Sequence, residues 1–290
     1  MIDRLAILGV GLIGGSLARA LHRAGYCKEI VGCDRRKDEL DKAVALHVID
    51  RYELDPARAV ENADVVVLAV PLGAMAQAMA AMVPGLAAHA IITDVGSAKA
   101  TVVEAAQRLL GAHLAQFVPG HPIAGTEHSG VEASFAELFE RRRVILTPTS
   151  NTSTAATQRV TAMWEATGAI VETMSVQAHD EVLAATSHLP HVLAYTLVDT
   201  LLSLDDSEAI FRFAAGGFRD FTRIASSDPA MWHDICLTNR DALLKVLDQF
   251  LDDLGRLRVA LANSDGATLK NIFSRAKAAR DRYAKTTGGY

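Results

Sequence analysis

The sequence predicts an α/β protein in which a doubly wound parallel sheet is followed by an all-helical domain. Three observations support this prediction: the first strand runs directly into a glycine-rich turn, apolar strands alternate with helices through the first part of the chain, and strand patterns vanish from about residue 175. Alternating strands and helices are typical of a parallel sheet with helices on both faces. We therefore predict two domains, residues 1–174 and residues 175–290.

The first element is a buried strand around Leu5–Leu8 that ends in glycines at positions 9, 11 and 14. Gly9 permits a tight turn, Gly11 lets a phosphate approach the backbone, and Gly14 lets the next helix pack closely on the strand. That helix, predicted over residues 12–23, directs its N-terminal N–H groups at the anion. The pattern predicts a Rossmann-type site for a dinucleotide.

A second strand, Glu29–Cys33, ends at Asp34, where the fingerprint requires a carboxylate for the adenosine ribose. A carboxylate accepts from a ribose 2′-OH and repels a 2′-phosphate, which favours NAD. Arg35 and Arg36 keep NADP open, because a guanidinium holds a 2′-phosphate; alternatively they lie on a solvated helix start. The predicted cofactor-binding residues are Gly9, Gly11, Leu12, Ile13, Gly14, Asp34, Arg35, Arg36, Val70 and Pro71.

The remaining strands of the first domain are predicted to extend the same parallel sheet. The strongest pattern is Asp64–Val70, which Pro71 ends, followed by Ala90–Val95 and a helix from about Ala98 to Leu110. Weaker strands are predicted near Val48 and over residues 116–118, 143–147 and 169–173.

Apolar residues recur at helical spacing throughout the second domain. One long helix is predicted to begin near Pro229, and its apolar positions are Leu243, Leu244, Leu247, Phe250, Leu251, Leu254, Leu257, Val259 and Leu261. A helix this apolar is expected to bury one face against another subunit, which predicts a homodimer.

Composition narrows the class of protein. Half of the 290 residues are hydrophobic and the net charge is −5, so the chain is expected to be globular and not to bind nucleic acid. The first strand begins too early for a signal peptide, and no apolar run is long enough for a membrane span. Cys27, Cys33 and Cys236 are scattered and odd in number, which is typical of reduced thiols in a cytoplasmic protein.

His121 lies in a segment rich in proline and glycine, which predicts a rigid loop at the carboxyl end of a strand. A histidine held there is a candidate general base with an ordinary pKa of about 6.5; alternatively it is a structural residue bonded to its own loop. Ser97 follows the preceding strand, and its hydroxyl either orients the imidazole of His121 or caps the next helix.

Two further groups of polar residues belong to the helical domain. His188 and His191 are three residues apart at the start of a helix, preceded by His179 and Asp180; no complete ligand set is evident, so we predict no metal and prefer a polar substrate, with core histidines as the alternative.

Arg219 and Arg223 are spaced to share a helix face. Either guanidinium suits a substrate carboxylate, and an internal ion pair with Asp220 or Asp228 is the alternative.

Five segments together resemble the prephenate/arogenate dehydrogenase family of tyrosine biosynthesis. They are GVGLIGGS at the first turn, DVGSAK, GHPIAGTEHSG, SHLPH and GGFRDFTRIASSDPAMW, in that order. The resemblance implies a Rossmann-type domain followed by an all-helical dimerisation domain. It also implies that His121 is the catalytic histidine with Ser97 beside it. The substrate is then expected to contact Arg223, His188, His191, Thr126, Glu127 and Trp232, with Trp232 supplied either by the same chain or by the partner subunit.

The reaction implied is the oxidative decarboxylation of prephenate or arogenate with NAD(P), with tyrosine as a conceivable feedback ligand. The sequence does not decide between the two substrates. Two alternatives stay open at this stage: a β-hydroxyacid dehydrogenase, which uses a helical lysine, and a non-catalytic NAD-binding sensor. No lysine of the helical domain has a glycine-rich setting, and a sensor does not explain His121, Ser97 and Arg223 together.

Overall fold

The computed structural model describes residues 1–286, apart from the side chains of Ser207, Lys285 and Thr286. Residues 287–290, which the predicted second domain includes, lie outside the described residues. The chain divides into two compact units, Met1–Leu243 and the segment from Leu244 onward. The domain boundary predicted between residues 174 and 175 follows the last strand and does not coincide with the boundary between these two units. That domain assignment stays a prediction.

A six-stranded parallel sheet forms the centre of the first unit and confirms the predicted fold class. Its strands are β1 (Ile2–Leu8), β2 (Cys27–Cys33), β3 (Arg51–Glu53), β4 (Val65–Leu68), β5 (Ile91–Asp94) and β6 (Phe117–Val118). Their spatial order is β3-β2-β1-β4-β5-β6, so the order reverses between β1 and β4. Ligands of open α/β sheets bind at this reversal, outside the carboxyl ends of the strands.

Helices cover both faces of this sheet. They are α1 (Leu12–Arg23), α2 (Lys37–Ala45), α3 (Pro56–Ala59), α4 (Met75–Met82), α5 (Ala100–Leu109) and α6 (Thr154–Glu165). Leu5 and Ile7 of β1 belong to one hydrophobic core, and Ala6 and Leu8 belong to the other. Because both faces are buried, the strand is a continuous apolar run and not an alternating one.

The strand predicted over residues 116–118 joins the main sheet as β6, but those predicted over 143–147 and 169–173 do not extend it, so that part of the prediction was wrong. The strands β7 (Gly120–Pro122), β8 (Arg143–Leu146) and β9 (Ile170–Thr173) form a second, three-stranded sheet. In it, β7 pairs antiparallel with β8, and β8 pairs parallel with β9. Pro119 separates β6 from β7 because proline has no N–H for the ladder. His121 therefore lies on a short strand and not in a loop.

From Val176 to Thr286 the described chain contains helices and no strands. Its helices are α7 (Val176–Leu183), α8 (Leu189–Leu202), α9 (Ser207–Arg212), α10 (Gly216–Thr222), α11 (Pro229–Thr238), α12 (Arg240–Ala262) and α13 (Gly266–Thr286). A π-helical turn, Ala184–His188, joins α7 to α8. None of the helices described here is long and apolar enough to cross a membrane.

The long helix predicted from Pro229 is broken at Asn239. This residue is buried, and its backbone (φ −109°, ψ 30°) departs from helical geometry. Its side-chain amide donates to the carbonyl of Asp180 at 2.9 Å and meets Nδ1 of His188 at 3.0 Å. The break thus brings a polar side chain onto two residues of the α7–α8 segment, which helical periodicity does not reveal.

Candidate active site

The glycine-rich turn has the form that a dinucleotide requires. Gly9 has φ +98°, and a Cβ there would lie 2.4 Å from the carbonyl oxygen of Ala69. A Cβ on Gly14 would lie 2.1 Å from the carbonyl oxygen of Gly9, so helix and strand meet backbone to backbone. A Cβ on Gly11 would meet nothing within 4 Å, and Gly11 caps α1 without a side-chain hydrogen bond. The turn therefore leaves space for a pyrophosphate at the start of α1, where the first N–H groups of a helix have no partner within the helix.

The other predicted cofactor residues lie around the same edge of the sheet. One carboxylate oxygen of Asp34 accepts the backbone N–H of Arg36 at 3.1 Å. Arg35 and Arg36 are exposed, and Arg36 reaches Glu39 at 3.8 Å. Leu12, Ile13 and Val70 are half-buried, and Pro71 is exposed. The residues present fit NAD, with Gly11 at the pyrophosphate and Asp34 at the ribose.

Replacing Gly11 with alanine is expected to weaken NAD binding by about tenfold or more, because the new Cβ enters the pyrophosphate space. The fold should be unaffected, since nothing lies within 4 Å of that Cβ. Calorimetric titration with NAD and a urea unfolding curve check both points. Gly14→Ala is the matched control and should lower the urea midpoint. Unchanged NAD affinity in Gly11→Ala would contradict the assignment.

A chain of three side chains lies at the carboxyl end of β5. His121 is 8% exposed, and its Nδ1 lies 2.9 Å from Nε2 of His179. On its other side, Nδ1 of the buried His179 lies 2.7 Å from Oδ1 of Asp180. The sequence contained His179 and Asp180 as neighbours, but it did not reveal that they lie behind His121.

The carboxylate of Asp180 also binds the backbone N–H groups at the start of helix α5. It accepts the backbone N–H groups of Lys99 at 2.8 Å and Ala100 at 2.9 Å. Burial raises the pKa of Asp180, but hydrogen bonds from His179 and from these two N–H groups outweigh it and hold the pKa below its usual value. Asp180 is therefore a carboxylate at neutral pH.

A fully buried ion pair supports the strand that carries His121. Lys99 Nζ pairs with the carboxylate of Asp94 and donates to the carbonyl of Gly120 at 2.7 Å. Asp94 also accepts the N–H groups of Gly96 at 2.8 Å and Gly120 at 3.2 Å. Burial lowers the pKa of Lys99, and Asp94 opposes that change. The pair joins the end of β5 to the residue before His121.

Ser97 is half-buried between β5 and α5. The residue that caps α5 is Lys99, so the helix-cap alternative for Ser97 is wrong. Among the described residues, the hydrogen bond to the imidazole of His121 comes from His179 and not from Ser97. The role of Ser97 toward the substrate stays a prediction.

His188 and Trp232 lie edge to face, with ring centroids 6.0 Å apart. Because Asn239 donates to Nδ1 of His188, a neutral His188 carries its proton on Nε2. Burial is the main reason that the pKa of His188 falls to about 4, and a hydrogen bond to the backbone of Ser97 offsets only part of that change, so the ring is neutral. Within residues 1–286, Nε1 of the buried Trp232 has no hydrogen-bond partner, so this N–H is available to an acceptor on a ligand.

His191 stacks on Trp232 with ring centroids 3.7 Å apart, and its Nδ1 lies 2.9 Å from the carbonyl of Ser187. Burial lowers the pKa of His191, and the charge of Arg223 lowers it further. The SHLPH segment thus brings both of its histidines to Trp232 of the same chain.

Arg223 forms an exposed ion pair with Glu127. Their charged groups are 3.9 Å apart, and the two side chains are 64% and 45% exposed. The prediction that Arg219 and Arg223 share one helix was wrong, because α10 ends at Thr222 and Arg223 begins a 3₁₀ turn. The partner of Arg223 is also neither of the predicted aspartates. Thr126 is exposed in the loop that precedes Glu127.

A dinucleotide-binding turn at the reversal of a parallel sheet, with a buried neutral histidine beside the end of β5, defines a nicotinamide-dependent dehydrogenase. The chain belongs to the prephenate dehydrogenase family. Residues 17–173 match the family model for the nucleotide-binding domain of prephenate dehydrogenase, and residues 175–275 match its dimerization domain.

Similar proteins agree with this assignment. The chain is 44% identical to the cyclohexadienyl dehydrogenase of Zymomonas mobilis, over 97% of this chain and 96% of the relative. The prephenate dehydrogenase of A. aeolicus, crystallised with hydroxyphenyl propionate and NAD+, is 38% identical with a TM-score of 0.91, over 98% of this chain and 99% of that one.

The arogenate dehydrogenase of Synechocystis is 28% identical with a TM-score of 0.81, over 97% and 99% of the two chains. These matches confirm the predicted family, fold class and enzyme class. They support NAD as the cofactor, and they count against the β-hydroxyacid dehydrogenase and sensor alternatives.

Proposed function

We propose that this chain catalyses the oxidative decarboxylation of prephenate, arogenate or both, giving 4-hydroxyphenylpyruvate or tyrosine. The observation that carries the proposal is the neutral His121, held through Nδ1 by His179 beside the predicted nicotinamide end of the cofactor site. Relatives of this chain are named prephenate dehydrogenase, arogenate dehydrogenase and cyclohexadienyl dehydrogenase. A cytoplasmic location and inhibition by tyrosine stay predictions.

NAD is the cofactor that the site favours over NADP. Asp34 keeps one carboxylate oxygen outside its contact with Arg36, and that oxygen suits a ribose 2′-OH. Arg35 and Arg36 are exposed, so their ion pairs with a 2′-phosphate would be screened by water and weak. The same phosphate would be repelled by the carboxylate of Asp34. When bound, the dinucleotide supplies the acceptor for the hydride that leaves the substrate ring.

His121 supplies the base in this mechanism. Its neutral imidazole takes the proton of the hydroxyl on C4 of the substrate ring. The C4–O bond becomes a carbonyl as hydride leaves C4. The C1–carboxylate bond then breaks, carbon dioxide leaves, the electron pair of that bond enters the ring, and the C4 oxygen recovers a proton as the ring becomes aromatic. His121 is buried, which excludes water from the base and holds it at the reacting atom.

The remaining polar groups are proposed to hold the substrate. Arg223 is close enough to His191 for its charge to lower the pKa of that histidine, and its guanidinium suits a carboxylate of the substrate. The N–H of Trp232 is a buried donor without a partner among residues 1–286 and suits an oxygen of the substrate, and the adjacent His188 is proposed to contact the substrate beside it. Glu127 holds Arg223 until the substrate carboxylate replaces it.

We also propose that the active protein is a homodimer. Leu251 and Leu254 of α12 and Phe273 of α13 are 54%, 47% and 58% exposed in the single chain. Large apolar side chains exposed on helices of a dimerization-domain match are expected to pack against a second copy.

Initial rates of NADH or NADPH formation test the proposed function. Prephenate and arogenate are each combined with NAD and NADP, using purified protein that is shown to be folded. Turnover with NAD and at least one of the substrates is the expected result. Absence of turnover in all four combinations, with NAD binding intact, would overturn the proposal.

The pH dependence should differ from that of an ordinary histidine. Burial is the main reason that the pKa of His121 lies well below 6.5, and the nearby His179, Lys99 and His188 lower it further. The basic form therefore persists as pH falls through 6.5, and kcat/KM should decline only at a clearly lower pH. A profile from pH 8 to pH 5, with stability checked at each point, measures this. An acid limb at or above 6.5 would contradict it.

Arg223→Ala is expected to raise KM for the substrate by about 10- to 100-fold, the loss of one charged hydrogen bond worth about 1.5–3 kcal/mol. The change in kcat should be smaller, because Arg223 lies away from the base. Arg219→Ala is the matched control and should change KM little. An unchanged KM in Arg223→Ala, or an equal rise in both variants, would count against the assignment.

A further inference from the structure

The proposed function requires one nitrogen of His121 to be free to take a proton, and the hydrogen bonds behind the ring indicate which one. Resting on that function, we infer that His179 and Asp180 are positioning residues that keep the proton of His121 on Nδ1 and leave Nε2 as the basic atom. The sequence had suggested Ser97 for this task.

Asp180 is ionised and has three hydrogen-bond contacts. Its Oδ1 faces the N–H of Lys99 at 2.8 Å and Nδ1 of His179 at 2.7 Å, and its Oδ2 accepts the N–H of Ala100 at 2.9 Å. A carboxylate has no proton to give. Nδ1 of His179 must therefore be a donor.

The ring of His179 links Asp180 to His121. A neutral imidazole with its proton on Nδ1 has only a lone pair on Nε2. That Nε2 lies 2.9 Å from Nδ1 of His121, and the two rings meet edge to face at 64° with centroids 5.1 Å apart. In that neutral form His179 accepts at Nε2, and His121 donates from Nδ1.

The tautomer of His121 follows from that contact. Its single proton is used toward His179, so the lone pair is on Nε2. Among the described residues, none makes a hydrogen bond to Nε2, whereas Nδ1 is fixed from behind. Lys99 holds the adjoining backbone through the carbonyl of Gly120, so the position of the ring is fixed as well as its protonation.

The charged groups around His121 favour this arrangement. Lys99 and Asp94 neutralise one another, and His188 faces the ring as a neutral group. Asp180 is then the one carboxylate linked to His121 through hydrogen bonds of the described residues. When Nε2 takes the substrate proton, the O–H bond breaks, an N–H bond forms, and the new positive charge is stabilised through His179 by Asp180.

Paired substitutions of His179 test the inference. Phenylalanine keeps a ring of similar size but removes both hydrogen bonds, and His179→Phe should lower kcat by about 10²-fold or more with KM changed little. Glutamine can accept from His121 and donate to Asp180, so His179→Gln should stay within about tenfold of the wild type. A role limited to packing predicts the reverse order.

The chain offers a matched control in His233. Its Nδ1 lies 3.0 Å from Oδ1 of the adjacent Asp234, the same kind of neighbouring pair, but its side chain is 68% exposed. His233→Phe should leave kcat unchanged. Thermal unfolding of every variant shows whether a lost activity reflects a lost fold.

A second measurement uses the wild-type protein and needs no activity. The ¹⁵N shifts of the His121 imidazole, assigned with the aid of His121→Asn, should show Nδ1 protonated and Nε2 unprotonated; in His179→Phe the two tautomers should mix. A protonated Nε2 in the wild type, or full kcat in a folded His179→Phe, would overturn the inference. The expected tautomer in a protein that turns over neither substrate would instead support the inference and overturn the proposed function.

Discussion

Asparagine in place of His121 is expected to lower kcat by ~10²–10⁴-fold, the usual contribution of a positioned general base. The asparagine side chain can still form a hydrogen bond with His179, so strand β7 and the surroundings of position 121 should keep their structure. It has no lone pair basic enough to take a proton from the C4 hydroxyl. Because His121 is buried, water has poor access to replace it. Rates of NADH formation at saturating substrate measure the effect, and KM should change little.

The same substitution at an exposed histidine supplies the control for this experiment. His233→Asn removes a histidine of the same chain that is not in contact with His121, and its kcat should match the wild type. Near-ultraviolet circular dichroism and NAD binding establish that His121→Asn is folded. A drop of less than about tenfold in such a folded variant would remove His121 from the role of base.

The cofactor half of the site was predictable because its pattern is local. Gly9, Gly11 and Gly14 act within a few residues of one another, and each glycine has the backbone environment that its position predicts. The six-stranded sheet was predictable for a similar reason: strands buried on both faces are continuous apolar runs. Asp34 follows β2 directly, so its place at the sheet edge is also a local property.

The support of His121 was not predictable because it depends on contacts between distant segments. His179 is 58 residues from His121 along the chain, and Asp180 is 81 residues from the Lys99 N–H that it accepts. The only indication in the sequence was that a histidine is followed directly by an aspartate. The exposed pair His233–Asp234 has the same spacing and does not support His121, so the spacing alone does not identify the role.

The second sheet and the break at Asn239 were missed for related reasons. Short strands such as β7 carry too few residues to show which sheet they join, and Pro119 ends β6 without indicating where the chain goes next. Asn239 leaves the helix because its amide bonds to Asp180 and His188. Those partners belong to another helical segment, so helical periodicity alone favours one continuous helix.

Lys99 is the clearest case of a residue whose role depends on burial. In the sequence it is a lysine after a predicted helix cap, a position that is usually solvated. In the structure it is 0% exposed and bridges Asp94 to the carbonyl of Gly120. A lysine is buried in this way only when its charge is paired and its N–H groups are bonded.

Lys99→Met is therefore expected to destabilise the protein by about 3–5 kcal/mol, the usual cost of leaving one charge of a buried pair without its partner. Methionine fills a similar volume, so packing changes little, but Asp94 is left buried with only two N–H groups, those of Gly96 and Gly120. The midpoint of urea unfolding, converted with the slope of the transition, measures the loss.

An exposed ion pair separates this effect from the mere loss of a lysine. Lys28 and Asp3 are 2.6 Å apart with side chains 65% and 74% exposed, so Lys28→Met should leave the urea midpoint nearly unchanged. Adding Asp94→Asn to Lys99→Met removes the unpaired charge and should restore part of the loss, because the amide oxygen still accepts one N–H. If Lys99→Met lowered the free energy of unfolding no more than Lys28→Met, the buried pair would not be what holds β7 in place. The position of His121 would then depend on the Asp180–His179 contacts alone.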